Sequence, residues 1–77
     1  MRPADQPEWI VDSRRRVGLR IRDARIAEDM SQEELAHCAE VDRSTVQRAE
    51  LGQNDLKLSH LFRIAAALRL PARDLMP

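Results

Sequence analysis

Four polar side chains crowded into six positions, Arg43, Ser44, Gln47 and Arg48, carry the most suggestive chemistry of this 77-residue chain. An arginine fork can donate two parallel hydrogen bonds to O6 and N7 of a guanine, a contact worth about 1–3 kcal/mol of discrimination between bases. At about 100° per residue, Ser44, Gln47 and Arg48 project from one side of a helix, with Arg43 at its N-terminal flank. Val46, Ala49 and Glu50 project from the other side. A helix fixed by one face and polar on the other has the shape to enter a DNA major groove. The same four residues also describe an ordinary solvated helix face, so the platform beneath them decides between the two readings.

That platform is legible on both sides. Ser31 followed by Glu34 is a capping box, which predicts a helix from Gln32 with Leu35, Ala36 and Ala39 on its apolar side. Glu40-Val41 is the turn. Asp42 is the next cap, with a side chain able to accept backbone N–H bonds. The helix Arg43–Leu51 follows, and Gly52 can stop it in a left-handed conformation. Upstream, Ile10, Arg14, Val17, Ile21, Ala24 and Glu28 fall at helical spacing, so a first helix runs from between Pro7 and Ser13 to about Glu28. Residues 1–12 read as a tail or an extension of that helix, and 13–77 as the domain. Downstream, Leu58, Leu61, Ile64, Ala65 and Leu68 predict an amphipathic helix capped near Lys57 or Leu58. Pro71 then opens a short last turn over Ala72–Leu75. Trp9 is expected at the edge of the core, with a dimer contact as the alternative. Cys38 is expected to be a small, partly buried helix residue.

Size and composition exclude several classes. The chain can bury one modest core, and it is short for an enzyme scaffold with a substrate pocket. No apolar run reaches membrane-spanning length, so no membrane association is expected. The N-terminus lacks a signal pattern, which points to the cytoplasm. One cysteine and two distant histidines offer no disulfide, metal site or catalytic pairing, so neither metal nor cofactor is expected. The adjacent acids Glu33 and Glu34 point apart and do not form a catalytic dyad. Net charge is zero. Arginines gather early, at Arg14, Arg15, Arg16, Arg20, Arg22 and Arg25. The 31–50 stretch is locally acidic, with Glu33, Glu34, Glu40, Asp42 and Glu50. DNA binding would therefore rest on placed contacts, because a general positive field is missing.

With these helices placed, the chain resembles the Cro/cI (XRE-type) helix-turn-helix family over roughly residues 17–76. The matching blocks are Gly18–Arg25, Ser31-Gln32-Glu33-Glu34-Leu35-Ala36, Val41–Val46, Glu50-Leu51-Gly52 and Leu58–Leu68, in the family's order. The resemblance implies an all-α, compact five-helix bundle of the lambda-repressor type, with the helix-turn-helix at helices 2 and 3. It implies a dimer on operator DNA, a class used to illustrate groove docking. It places Arg43, Ser44, Gln47 and Arg48 at base-contacting positions and Gln32, Thr45, Gln53, Asn54 and Lys57 at backbone-contacting ones. It pairs Arg25 with Glu50 as a buried ion pair. Asp29, Glu40 and Arg69 stand where the family often has glycine, which predicts positive φ there at roughly 1 kcal/mol each.

The expected function is therefore a homodimeric, sequence-specific transcriptional regulator of bacterial or phage origin, with no small-molecule ligand. Leu70, Leu75 and Met76 are expected to form the dimer contact, since little remains for them to pack against within one chain. Within the family, the Asp42-Arg43-Ser44 start and the polar Gln53-Asn54 loop lean towards restriction–modification controller proteins. The alternative is a protein-interaction module, antitoxin-like or bridging, built on the same fold.

Overall fold

The computed structural model describes residues 6–53 and 55–77. Four α-helices follow one another: α1 (Glu8–Ala27), α2 (Gln32–Ala39), α3 (Arg43–Leu51) and α4 (Leu58–Ala67). A single 3₁₀ turn, Ala72–Leu75, stands where a fifth helix is expected. Pro71 opens that turn, and its carbonyl accepts from the Asp74 N–H at 3.0 Å. Met76 is already extended, at φ −82° and ψ 151°. Pro77 follows it, and a residue before proline is disfavoured in the helical region, so the turn cannot grow. Among the described residues the bundle thus has four helices.

The capping box forms as the sequence predicts. The Ser31 N–H donates to Glu34 Oε1 at 2.8 Å, and the Glu34 N–H donates to Ser31 Oγ at 3.0 Å. Asp42 takes the N-cap position of α3 through its backbone, its carbonyl accepting from the Thr45 and Val46 N–H groups. Its carboxylate makes no capping bond, contrary to the expectation.

All four helices end alike. A residue with positive φ follows each one: Asp29 (57°), Glu40 (57°), Gly52 (66°) and Arg69 (60°). The next residue's N–H then reaches back five positions: Met30 to Arg25, Val41 to Ala36, Gln53 to Arg48 and Leu70 to Ala65. This is the Schellman arrangement, which satisfies carbonyls at the helix end. At three exits the residue after the left-handed one is apolar, and Met30, Val41 and Leu70 each pack against the core.

The core gathers Ile21 from α1, Leu35, Ala36 and Ala39 from α2, Val46 and Ala49 from α3, and Leu61, Ile64 and Ala65 from α4. Leu75 closes it and is fully buried. This corrects its assignment as a dimer contact: the last turn folds back over α1 and α4, so Leu75 fills its own protomer's core. Leu70 is half-buried against that core, and Met76 remains exposed. Two other expectations also change. Trp9 and Cys38 are both exposed.

α1 lies nearly backbone to backbone on α3. A Cβ on Gly18 would sit 2.8 Å from the Glu50 carbonyl carbon, and against the carbonyl oxygens of Ala49 and Glu50. A Cβ on Gly52 would meet the Arg15 backbone at 2.9 Å. Glycine at both positions lets the recognition segment sit down on the first helix. Among the described residues no helix is long and apolar enough to cross a membrane.

Candidate nucleic-acid interface

α3 is held from beneath by apolar burial and by one charged network. Val46 and Ala49 are buried, and Glu50, only 8% exposed, lies among them. Arg25 Nε donates to Glu50 Oε2 at 2.7 Å, and Arg25 Nη2 donates to Glu50 Oε1 at 3.1 Å. Such two-point pairing of arginine with a carboxylate fixes orientation as well as contact. Arg25 Nη1 donates to the Met30 carbonyl at 2.9 Å, and Gln32 Nε2 donates to Glu50 Oε1 at 3.1 Å. Glu50 is thereby satisfied from both α1 and α2, as a buried carboxylate must be. The bond to Glu50 raises the Arg25 pKa above its already high ordinary value, against the opposing effect of burial.

With its inner face fixed, α3 presents Arg43, Ser44, Gln47 and Arg48 outward, and all four are exposed. Thr45 is half-buried. It shares a shallow depression with Arg48, Lys57 and His60, which gathers three of the expected contact residues in one place. Gln53 is exposed beyond the end of α3, and Asn54 lies outside the described residues.

Gln32 is where expectation and geometry meet differently. It opens α2 as predicted, but its side chain is half-buried and tied to Glu50. It also lines a groove with Arg15, Leu19, Arg22, Gln47 and Leu51. Arg15, Leu19 and Arg22 follow each other at i, i+4 and i+7, so they share one side of α1. That spacing marks a stripe running beside the recognition helix. In the sequence Arg15 and Arg22 stand among six early arginines, and nothing there singles out this stripe. Among those arginines, Arg14 pairs with Asp55 at 3.2 Å and Arg16 with Asp12 at 2.9 Å.

The acidity of the 31–50 stretch also acquires a place. Glu50 is buried on Arg25, and Glu34 is engaged in the cap. Glu33 and Glu34 line a separate depression with His37 and Cys38. The groove beside Gln47 collects the cations Arg15 and Arg22 together with the Arg25–Glu50 pair.

Comparison with known proteins agrees with this geometry. The helix-turn-helix (HTH_3) family matches residues 21–75. The chain belongs to the HTH_3 helix-turn-helix family. The family comprises DNA-binding regulators, and α2 and α3 are its helix-turn-helix. The restriction–modification controller protein C.AhdI from Aeromonas hydrophila is 35% identical, with a TM-score of 0.82, over 84% of this chain and 98% of that one. A hypothetical transcription factor, NHTF, from Neisseria is 32% identical, with a TM-score of 0.81, over 100% of this chain and 87% of that one. The clp gene regulator ClgR from Corynebacterium glutamicum shares the fold, with a TM-score of 0.76 at 22% identity, over 80% of this chain and 66% of that one. No curated protein matches.

Proposed function

We propose that this chain is a homodimeric, sequence-specific transcriptional regulator that places α3 in the major groove of a (pseudo)palindromic operator. The observation that carries this reading is the division of α3. Glu50, Val46 and Ala49 lock it down, while Arg43, Ser44, Gln47 and Arg48 stand exposed on the other side. Arg43 and Arg48 supply paired donors for base edges, with Ser44 and Gln47 beside them. Thr45, Gln53, Asn54 and Lys57 flank the helix as backbone contacts, and Gln32 contributes from the start of α2. Arg15 and Arg22 extend the cationic border along α1. Two protomers would read half-sites about one helical turn apart, roughly 34 Å. Glu50, the one acid among the described residues that line this groove, is neutralised by Arg25, which favours the DNA-binding reading over a protein-binding module. The similarity to a controller protein over nearly all of that protein's length supports the controller subtype.

The test is selection of bound sites from a random DNA library with the purified protein, followed by salt titration. A recovered palindrome, with affinity falling steeply as salt rises, is expected. Loss of preference at one position of each half-site in Arg43→Ala or Arg48→Ala assigns that base contact. Absence of DNA binding even at low salt sinks the reading.

A further inference from the structure

One member of the outward stripe of α3 is not polar. Ser44, Gln47, Arg48 and Leu51 follow each other at i, i+3, i+4 and i+7, so they share one face of the helix. Leu51 is 55% exposed and stands outside the apolar core. Leu19 of α1, 51% exposed and equally outside the core, lines the same groove as Leu51 and Gln47. Single exposed leucines are ordinary surface. Two that line one groove from different helices, one of them on the recognition stripe, make an apolar spot inside a polar and cationic border.

We propose that Leu51, backed by Leu19, reads the 5-methyl group of a thymine at the edge of each half-site. This assignment rests on the reading of α3 as the major-groove helix, and it names a base that the arginines of α3 do not. Three observations select a thymine methyl as the occupant. The first is chemistry. Among the groups that base pairs present in the major groove, that methyl is the apolar one. The second is position. Leu51 closes α3, about 10 Å along the axis from Ser44, so it addresses a different base pair from the start of the helix. The first residues of a recognition helix lie on the base edges, which leaves its last residue near the rim of the groove. The thymine methyl projects towards that rim, on the side of its own backbone. Arg15 and Arg22 line the same groove and suit the phosphates that flank such a base, which favours DNA over an apolar protein surface. The third is rigidity. A Cβ on Gly52 would meet the Arg15 backbone at 2.9 Å, and the Gln53 N–H donates to the Arg48 carbonyl at 3.1 Å. The end of α3 is thus seated on α1, and Leu51 is held in place before DNA arrives, which lowers the cost of ordering it.

The test uses the operator recovered by selection. Each thymidine is replaced in turn by deoxyuridine, which removes the methyl and keeps both the base pairing and the O4 acceptor. One position in each half-site should weaken binding about fourfold, the worth of one methyl group removed from water. Leu51→Asn should bind thymidine and deoxyuridine at that position alike. Its circular-dichroism melt should be unchanged, because the side chain is exposed. Leu51→Met keeps an apolar end and should retain most of the fourfold difference. The preferences assigned to Arg43 and Arg48 should survive in both variants. A wild type indifferent to deoxyuridine at every position overturns the proposal and leaves the regulator reading standing. So does a penalty that persists undiminished in Leu51→Asn, which would assign that methyl to another side chain. A protein that binds no DNA at low salt overturns the regulator reading, and this assignment falls with it.

Discussion

The two faces of α3 are built from interleaved residues and obey different physics. Val46, Ala49 and Glu50 face inward, buried, with each oxygen of Glu50 accepting a hydrogen bond from Arg25. Gln47 and Arg48 lie between them in sequence and are exposed. The difference teaches that stability and recognition are separable in this helix one position at a time. A change on the inner face should alter folding, and a change on the outer face should alter only what the folded protein binds.

The largest test of that division is Glu50→Ala. It strands the Arg25 guanidinium against the core, and breaking one side of a buried pair costs about 3–5 kcal/mol. Thermal melting should fall by well over 10 °C in a domain this small, at roughly 4–8 °C per kcal/mol. Unchanged melting would remove the pair from its place in the fold. Gly18→Ala should come next. The added methyl meets the Ala49 and Glu50 carbonyls. Overpacking of this kind costs about 1–3 kcal/mol, more than the roughly 1 kcal/mol that alanine gains in helix propensity. Denaturant titration would show it. On the outer face, Arg43→Ala and Arg48→Ala should leave melting within about 0.5 kcal/mol. Each should lose about 1–3 kcal/mol of discrimination at one base pair. A large loss of stability in either would break the comparison. Arg22→Ala, at the border, should weaken binding evenly across sequences and reduce the salt slope by about one.

The smallest effect lies in the capping box. Hydrogen bonds from the Ser31 backbone and side chain hold the Glu34 pKa below the ordinary carboxylate value. A lowered folded-state pKa means that this contribution is complete above the ordinary value. It fades as pH falls through the lowered one. Glu34→Gln should remove that part of the acid-side slope of stability while leaving recognition unchanged, measurable by melts between neutral and acid pH.

Most of the helical framework was legible because its signals are local. Ser31 and Glu34 mark the start of α2 within one turn, and Gly52 marks the end of α3. Glycine positions filled by Asp29, Glu40 and Arg69 correctly foretold positive φ. That Glu50 has a partner could be anticipated because a charge on an apolar helix face requires one, and the family resemblance supplied Arg25 as that partner. What escaped depends on how distant elements cover one another. Leu75 lies on a four-residue turn with no periodicity to assign its face, and only the fold-back onto α1 and α4 buries it. Trp9 looks like a core residue by type, yet among the described residues no element of the same protomer reaches over it. Gln32 is expected as a backbone contact at a helix start. Its tie to Glu50 emerges only when α2 is set against α3. The stripe of Arg15 and Arg22 is hidden among six early arginines until α1 is set beside α3.

The shared ending of the helices also bears on how long the protein lasts in a cell. Three of the four left-handed exits lack glycine, and each holds about 1 kcal/mol in its backbone. Set against the 5–15 kcal/mol of a typical domain, about 3 kcal/mol appreciably raises the fraction of molecules open to proteases at any moment. Glycine at Glu40 would slow that turnover. On the proposed reading, the amount of protein present sets when the operator fills. Three backbone angles, none of them on the recognition helix, would then help to time the switch.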